Sequence, residues 1–207
     1  MVGPRDLAWA ALVVALLAPC TANAQSVRKG SLVSSLGGGA GLLDLHGSGG
    51  GIGQPELPCG AVRFAFAHGF GKRWSLGLHY DRIGSAEHAE PLERLRITTY
   101  QLEASWRPWI GERAALELLA GAGTSILALR PVGGRLPYGA NAGVVQVGAR
   151  WLRMVSGTLG AFVAADHAAS ATADLALEGE AVNDADGRPI SVSWSSTRLT
   201  AGLLLRF

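Results

Sequence analysis

The chain has almost no cysteine. Of its two, Cys20 lies in an apolar N-terminal run, and beyond that run Cys59 stands alone. A disulfide framework is therefore excluded, and Cys59 reads as an unpaired cysteine in a loop or at a strand end. Charge of one sign is also missing. Eighteen Lys and Arg stand against 16 Asp and Glu, for a formal net charge of +2. They are scattered, with no basic cluster of the kind that binds nucleic acid. After Ala24 no apolar run could cross a bilayer as a helix, which needs roughly 20 residues. Yet 48% of the chain is hydrophobic. A membrane protein with this profile has to be a barrel, because only closed sheets and helices satisfy every backbone group in lipid. The length suits one domain after the N-terminal run.

What is present begins with Met1 to Ala24: Arg5, an apolar run from Leu7 to Ala18, and the small-residue ending Ala22-Asn23-Ala24. This is the pattern of a secretory signal peptide cut before Gln25. Leu17-Ala18-Pro19-Cys20 resembles a lipoprotein signal, but Pro19 sits where a small residue is usual. Residues 25–207 are then the mature domain.

That domain alternates. Eight segments have a period of two, the mark of strands with unlike faces: 29–43, 61–70, 74–83, 95–106, 114–126, 142–152, 159–169 and 193–207. In the third, Trp74, Leu76, Leu78 and Tyr80 oppose Ser75, Gly77, His79 and Asp81. In the fourth, Tyr100, Leu102, Ala104 and Trp106 oppose Thr99, Gln101, Glu103 and Ser105. Connections alternate too. Those at 70–73, 107–113 and 155–158 are short, and those at 44–60, 84–94, 127–141 and 170–191 are long. Short periplasmic turns and long extracellular loops produce that pattern. Trp74, Trp106, Trp109, Trp151, Phe70 and Phe207 fall at the short-turn ends, and Tyr80, Tyr100, Tyr138 and Trp194 toward the long loops. Two interfacial girdles are expected from this sorting. A soluble eight-stranded barrel with its apolar face inward also alternates, but gives no reason for aromatics to sort to the ends.

The chain closes on SWSSTRLTAGLLLRF. Leu199, Ala201, Leu203, Leu205 and Phe207 make one apolar set; Arg198, Thr200, Gly202, Leu204 and Arg206 make the other face. This ending resembles the closing strand of bacterial outer-membrane barrels, in which the terminal Phe is an assembly signal. Together with the girdles, it resembles the small OmpA, OmpX and OmpW group. The resemblance implies an all-β, eight-stranded antiparallel up-and-down transmembrane β-barrel in the cell outer membrane. It implies Phe207, Leu205 and Leu203 as the assembly signal, and as partners the lipid bilayer, lipopolysaccharide, the barrel-assembly machinery and an extracellular partner reached through the loops.

The inward face carries Arg63, His79, Asp81, Glu103, Glu117, Arg150, Asp166, Arg198 and Arg206. Buried charges must be paired, and both signs are present, so a lumen filled with salt bridges is expected. Two small outer-membrane barrel families are enzymes acting on lipid A, and one resembles a His-x-Ser arrangement plus a Glu. Here His79 is followed by Tyr80-Asp81 and His167 by Ala168-Ala169-Ser170, so the spacing is absent. Glu87-His88-Ala89-Glu90 falls in a loop and reads as solvated surface. Asn183-Asp184-Ala185-Asp186-Gly187 partly resembles a calcium loop, but Val182 and Ser193 occupy the two key ligand positions, so a turn is expected. The glycines from Gly47 to Gly53 read as a flexible surface loop rather than a phosphate loop, since no helix pattern follows them. Neither cofactor nor metal is expected. The sequence thus points to a non-enzymatic barrel with an envelope or surface role. A narrow channel for small hydrophobic compounds and a lipid A-modifying enzyme are the alternatives.

Overall fold

The computed structural model describes residues 30–48, 54–85, 92–131 and 137–207. The N-terminal run 1–24, the glycines 49–53 and Glu87 to Glu90 lie outside the described residues. Seven long strands come first: β1 (Leu32–Gly47), β2 (Gln54–Gly69), β3 (Trp74–Ser85), β4 (Leu92–Ile110), β5 (Ala114–Pro131), β6 (Tyr138–Met154) and β7 (Leu159–Ser170). Three two-residue strands follow, β8 (Ala173–Asp174), β9 (Ala176–Leu177) and β10 (Glu180–Ala181), before the closing β11 (Ser191–Arg206). Every neighbouring pair is antiparallel, and β11 pairs both β7 and β1. The eight long strands therefore form a closed barrel with no free edge. Its seam runs from Val33 opposite Arg206 to Gly47 opposite Val192. Mutual backbone bonds between Leu32 and Phe207, 2.8 and 3.2 Å, finish it.

The outer wall is apolar. Leu78 is 68% exposed, Leu199 and Val147 61%, and Val145 60%. A soluble monomer does not keep a continuous belt of this kind in water; hydrocarbon has to cover it. Aromatic pairs mark its lower border. Trp74 lies against Trp106 with ring centroids 6.2 Å apart, and Trp109 stacks on Trp151 at 5.1 Å. Tyr80 and Tyr100 mark the upper border at 5.4 Å. Six residues separate Trp74 from Tyr80, about 20 Å along a strand.

Three expectations about the upper half are corrected. The connections read as 44–60 and 127–141 are mostly strand, and that read as 84–94 is strand at both ends: β1 runs to Gly47, β2 starts at Gln54, β3 reaches Ser85, β4 starts at Leu92, β5 reaches Pro131 and β6 starts at Tyr138. Among the described residues 171–190 remains a long connection, and it contains β8 to β10. Second, Trp194 and Tyr138 are not in the girdle. Trp194 is 4% exposed inside the barrel, where its indole N–H donates to Ser125 Oγ at 3.2 Å, and Tyr138 packs on the same inner cluster. Both have the parity of the inner face, which decides direction where distance along the strand does not. Third, Cys59 is neither in a loop nor at a strand end; it sits within β2 and is buried in that cluster.

The lumen has three storeys. At the lower end Leu152, Met154, Phe162, Ala164 and Leu204 pack together with Val33. The middle storey is polar. At the outer end Leu43, Leu45, Ile83, Leu95, Ile97, Leu127, Leu129 and Trp194 form an apolar core, with Leu175 reaching in from between β8 and β9. The raised strands keep alternating above the membrane because this core, not lipid, takes their apolar face.

Candidate functional site: the lumen charge layer

The polar storey is built from side chains that alternate inward on seven strands. Arg63 comes from β2, His79 and Asp81 from β3, Glu103 from β4, Glu117 from β5, Arg150 from β6, Asp166 from β7 and Arg198 from β11. All eight are buried. They divide into two groups.

In the first, two arginines share two aspartates. Arg63 Nη2 donates to Asp166 Oδ2 at 2.8 Å, and its Nε reaches Asp81 Oδ1 at 3.3 Å. Arg198 Nη1 donates to Asp81 Oδ2 at 2.8 Å, and its Nε to Asp166 Oδ1 at 2.7 Å, with Nη2 on the same oxygen. Each guanidinium thus bridges both carboxylates, a use of the fork that lysine cannot reproduce.

The second group is Glu117, Glu103, Arg150 and an arginine the sequence reading placed in a turn, Arg107. Arg107 is 1% exposed, and its Nε donates to Glu117 Oε1 at 2.7 Å. Its Nη2 donates to Ser75 Oγ at 3.2 Å, and that hydroxyl pairs with Ser105 Oγ at 2.5 Å. Arg150 holds the other oxygen of Glu117, with Nε at 2.7 Å, and reaches Glu103 at 3.6 Å. Arg107 shares parity with Glu103 and Ser105, so the alternation of β4 carried two residues further would have found it. The irregular register between Trp106 and Trp109 hides the strand's continuation.

His79 joins the groups. Its Nε2 lies 3.0 Å from Asp81 Oδ1 and its Nδ1 3.0 Å from Glu103 Oε2. Neither approach has hydrogen-bond geometry, so both are close contacts without a directed bond. Four arginines face four carboxylates, so the formal charge closes on itself before His79 is counted. Arg206 does not join them. Its Nη2 donates to the Gly157 carbonyl at the lower rim, too near the end of β11 to reach the layer.

Small residues make the room. Gly41 faces Arg198, and a Cβ there would stand 2.3 Å from the Thr197 carbonyl and 2.9 Å from Arg198 Cγ. At Gly37 a Cβ would meet the Phe162 ring at 2.7 Å. The glycine run of β1 is thus the notch into which β11 and β7 side chains fit. Two spaces among the described residues of the lumen are about 20 and 10 Å³, on the scale of a single water.

Elsewhere, His167 points outward, within 3.0 Å of Thr197 Oγ1. Residues 183–187 form a tight turn, in which Asp184 Oδ1 accepts from the amides of Asp186 and Arg188 at 2.9 Å each. Gly187 supplies the positive φ of 78°. Among the described residues no group of His, Cys, Asp and Glu is arranged to hold a metal ion.

No protein-family model matches the chain, and no curated protein matches it in sequence. Solved structures do match. The attachment invasion locus protein Ail of Yersinia pestis superposes with a TM-score of 0.51 at 14% identity, over 86% of this chain and 99% of that one. Neisserial surface protein A gives 0.62 at 11%, over 86% and 98%. The outer membrane protein OprG of Pseudomonas aeruginosa gives 0.57 at 11%, over 87% and 97%. At such identities the likeness is one of fold: this chain has the architecture of small eight-stranded outer-membrane barrels.

Proposed function

We propose that the chain is a non-enzymatic outer-membrane barrel, exported with a signal peptide cut before Gln25, whose role in envelope structure or surface interaction is carried by its extracellular rim. The observation that carries this reading is the filled lumen. An ion-pair layer lies between two apolar plugs, and two spaces beside it hold about 20 and 10 Å³. The rim, by contrast, offers raised strand ends and the segment 171–190.

A conduit for small hydrophobic compounds would use the apolar lining of the outer end. Leu175, Val192 and Trp194 fill that lining, and the charge layer blocks the path below it. An enzyme acting on lipid A needs a base, a nucleophile and an orienting group within reach of the bilayer. His79 is enclosed between carboxylates, and the partner of His167 is a threonine.

Three measurements test the proposal. Membrane fractionation with gel mobility before and after boiling should find a detergent-resistant barrel in the outer membrane. Planar bilayers containing purified protein should show no steady conductance. Mass spectra of lipid A from cells with and without the protein should be identical. Gain or loss of one acyl chain, abolished by His79→Ala or His167→Ala, would overturn the non-enzymatic reading.

A further inference from the structure

Just above the Tyr80–Tyr100 pair the outer wall changes from apolar to basic. Arg82 on β3 and Arg94 and Arg96 on β4 all alternate outward. Register brings them together: Arg96 lies opposite Gly84, and Arg94 opposite Arg130 of β5.

The arginines border a groove of about 390 Å³ whose lining includes Gly60, Val62, Arg82, Gly84, Arg94 and Arg96. Its floor is the cross-strand pair Gly60 and Gly84. The backbone does not require glycine at either position. A Cβ on Gly60 meets nothing within 4 Å, and one on Gly84 meets only the Leu95 carbonyl at 3.6 Å. What the two glycines provide is an open depression in the wall, walled by guanidinium groups and placed where hydrocarbon ends.

The geometry points to a built seat for the phosphorylated headgroup of an outer-leaflet lipid, with Arg82, Arg94 and Arg96 as its phosphate ligands and Gly60 and Gly84 making room for the sugar. The height selects this occupant. A ligand bound here has its polar part beside the arginines and its chains against Leu78, Tyr80, Tyr100 and Leu102, on the lipid-covered wall. Guanidinium suits the task because it grips phosphate with two parallel donors and is weakly hydrated. The assignment rests on the membrane reading above and adds a ligand-binding role for the rim.

The test uses the full mature barrel, folded in zwitterionic detergent. It is titrated with bisphosphorylated lipid A, with the same lipid after removal of its phosphates, and with inorganic phosphate, and bound lipid is counted by native mass spectrometry. The phosphorylated lipid should bind best. Combined Arg82→Ala, Arg94→Ala and Arg96→Ala should weaken it by on the order of a hundred-fold, three basic contacts at the membrane surface being lost. Gly84→Leu, which keeps every charge but fills the groove, should weaken it as well. Raised salt should weaken the wild type and leave the triple variant little changed. Equal binding by wild type and triple variant would overturn the site. So would equal binding of the two lipids, or full displacement by inorganic phosphate, which would mark an anion site without lipid. A chain that forms no boiling-sensitive barrel in detergent would refute the membrane reading itself; a stable barrel indifferent to the phosphates refutes this seat alone.

Discussion

Asp166 receives Arg63 on one oxygen and Arg198 on the other, so its removal leaves two buried cations half-paired. Asp166→Asn should cost about 3–5 kcal/mol, less to the extent that water enters the lumen. Urea unfolding in detergent, followed by tryptophan emission, measures it. Replacing Asp81, Asp166, Arg63 and Arg198 together by apolar residues of matching size should cost far less than Asp166→Asn alone, because both cations leave together with both of the carboxylates they bridge. Equal losses for the two would show that the network's worth is not in its pairing. Arg107 makes a second residue-scale case. Arg107→Met removes one of the two partners of Glu117, and its cost should shrink when Glu117→Gln is already present. The coupling is read from a double-mutant cycle.

Among elements, the β1–β11 seam is the most exacting. β1 presents Gly37, Gly39 and Gly41 inward, where any Cβ meets backbone or ring at less than 3 Å. Gly41→Val should therefore disrupt closure and lower the yield of heat-modifiable barrel, whereas Gly38→Val, whose added Cβ meets only the Ala61 carbonyl at 3.6 Å, should be tolerated. The end of β11 behaves differently. Phe207 is 73% exposed, and Leu203 and Leu205 also face outward, so its ring adds little packing within the chain. If the ring is read during assembly, Phe207→Ser should reduce inserted barrel in cells while refolding of purified protein into detergent suffers less. Equal membrane levels for variant and wild type would contradict that role.

For the whole molecule, the stability of the wall and the chemistry of the rim should be separable. The turn at 183–187 is held by its own Asp184 contacts and an isolated bridge between Asn183 and Pro189. Shortening it should leave folding intact, because few backbone bonds cross a rim turn. Leu175 is different: it is 2% exposed and plugs the outer core. Leu175→Ala should destabilise the barrel by about 2–5 kcal/mol, the usual cost of a large apolar side chain lost from a packed site. The outer end would then be the first region to gain amide exchange.

How far such features were legible follows from what each depends on. Direction is local: successive side chains in a strand point to opposite faces, so the outward belt and the inward placement of Arg63, Asp81, Glu103 and Arg198 could be read from residue order alone. The same rule, followed past Trp106, contained Arg107, and at the rim it contained Trp194. Both were missed where distance along the chain was given more weight than parity. The balance of cations and anions on the inner face was likewise in the sequence, because both signs recur at one parity.

Partners were not. Asp166 meets Arg63 from 103 residues away, across a lumen whose width and stagger exist only once β11 closes on β1, since closure links strand number, tilt and register. The raised height of the wall also belonged to the tertiary structure. The segments 44–60 and 127–141 look like loops by composition, and become largely strand because an inner apolar core at the outer end rewards their pairing. The arginine groove is of the same kind: Arg82 lies on β3 and Arg94 and Arg96 on β4, and the register of β2, β3 and β4 gathers them beside one glycine pair. The sequence by itself determined a two-faced strand repeat and the chemistry of each face. Which groups meet, and at what depth in the membrane, was decided by closure, because a contact between distant strands is a property of the barrel's radius and shear rather than of any local stretch.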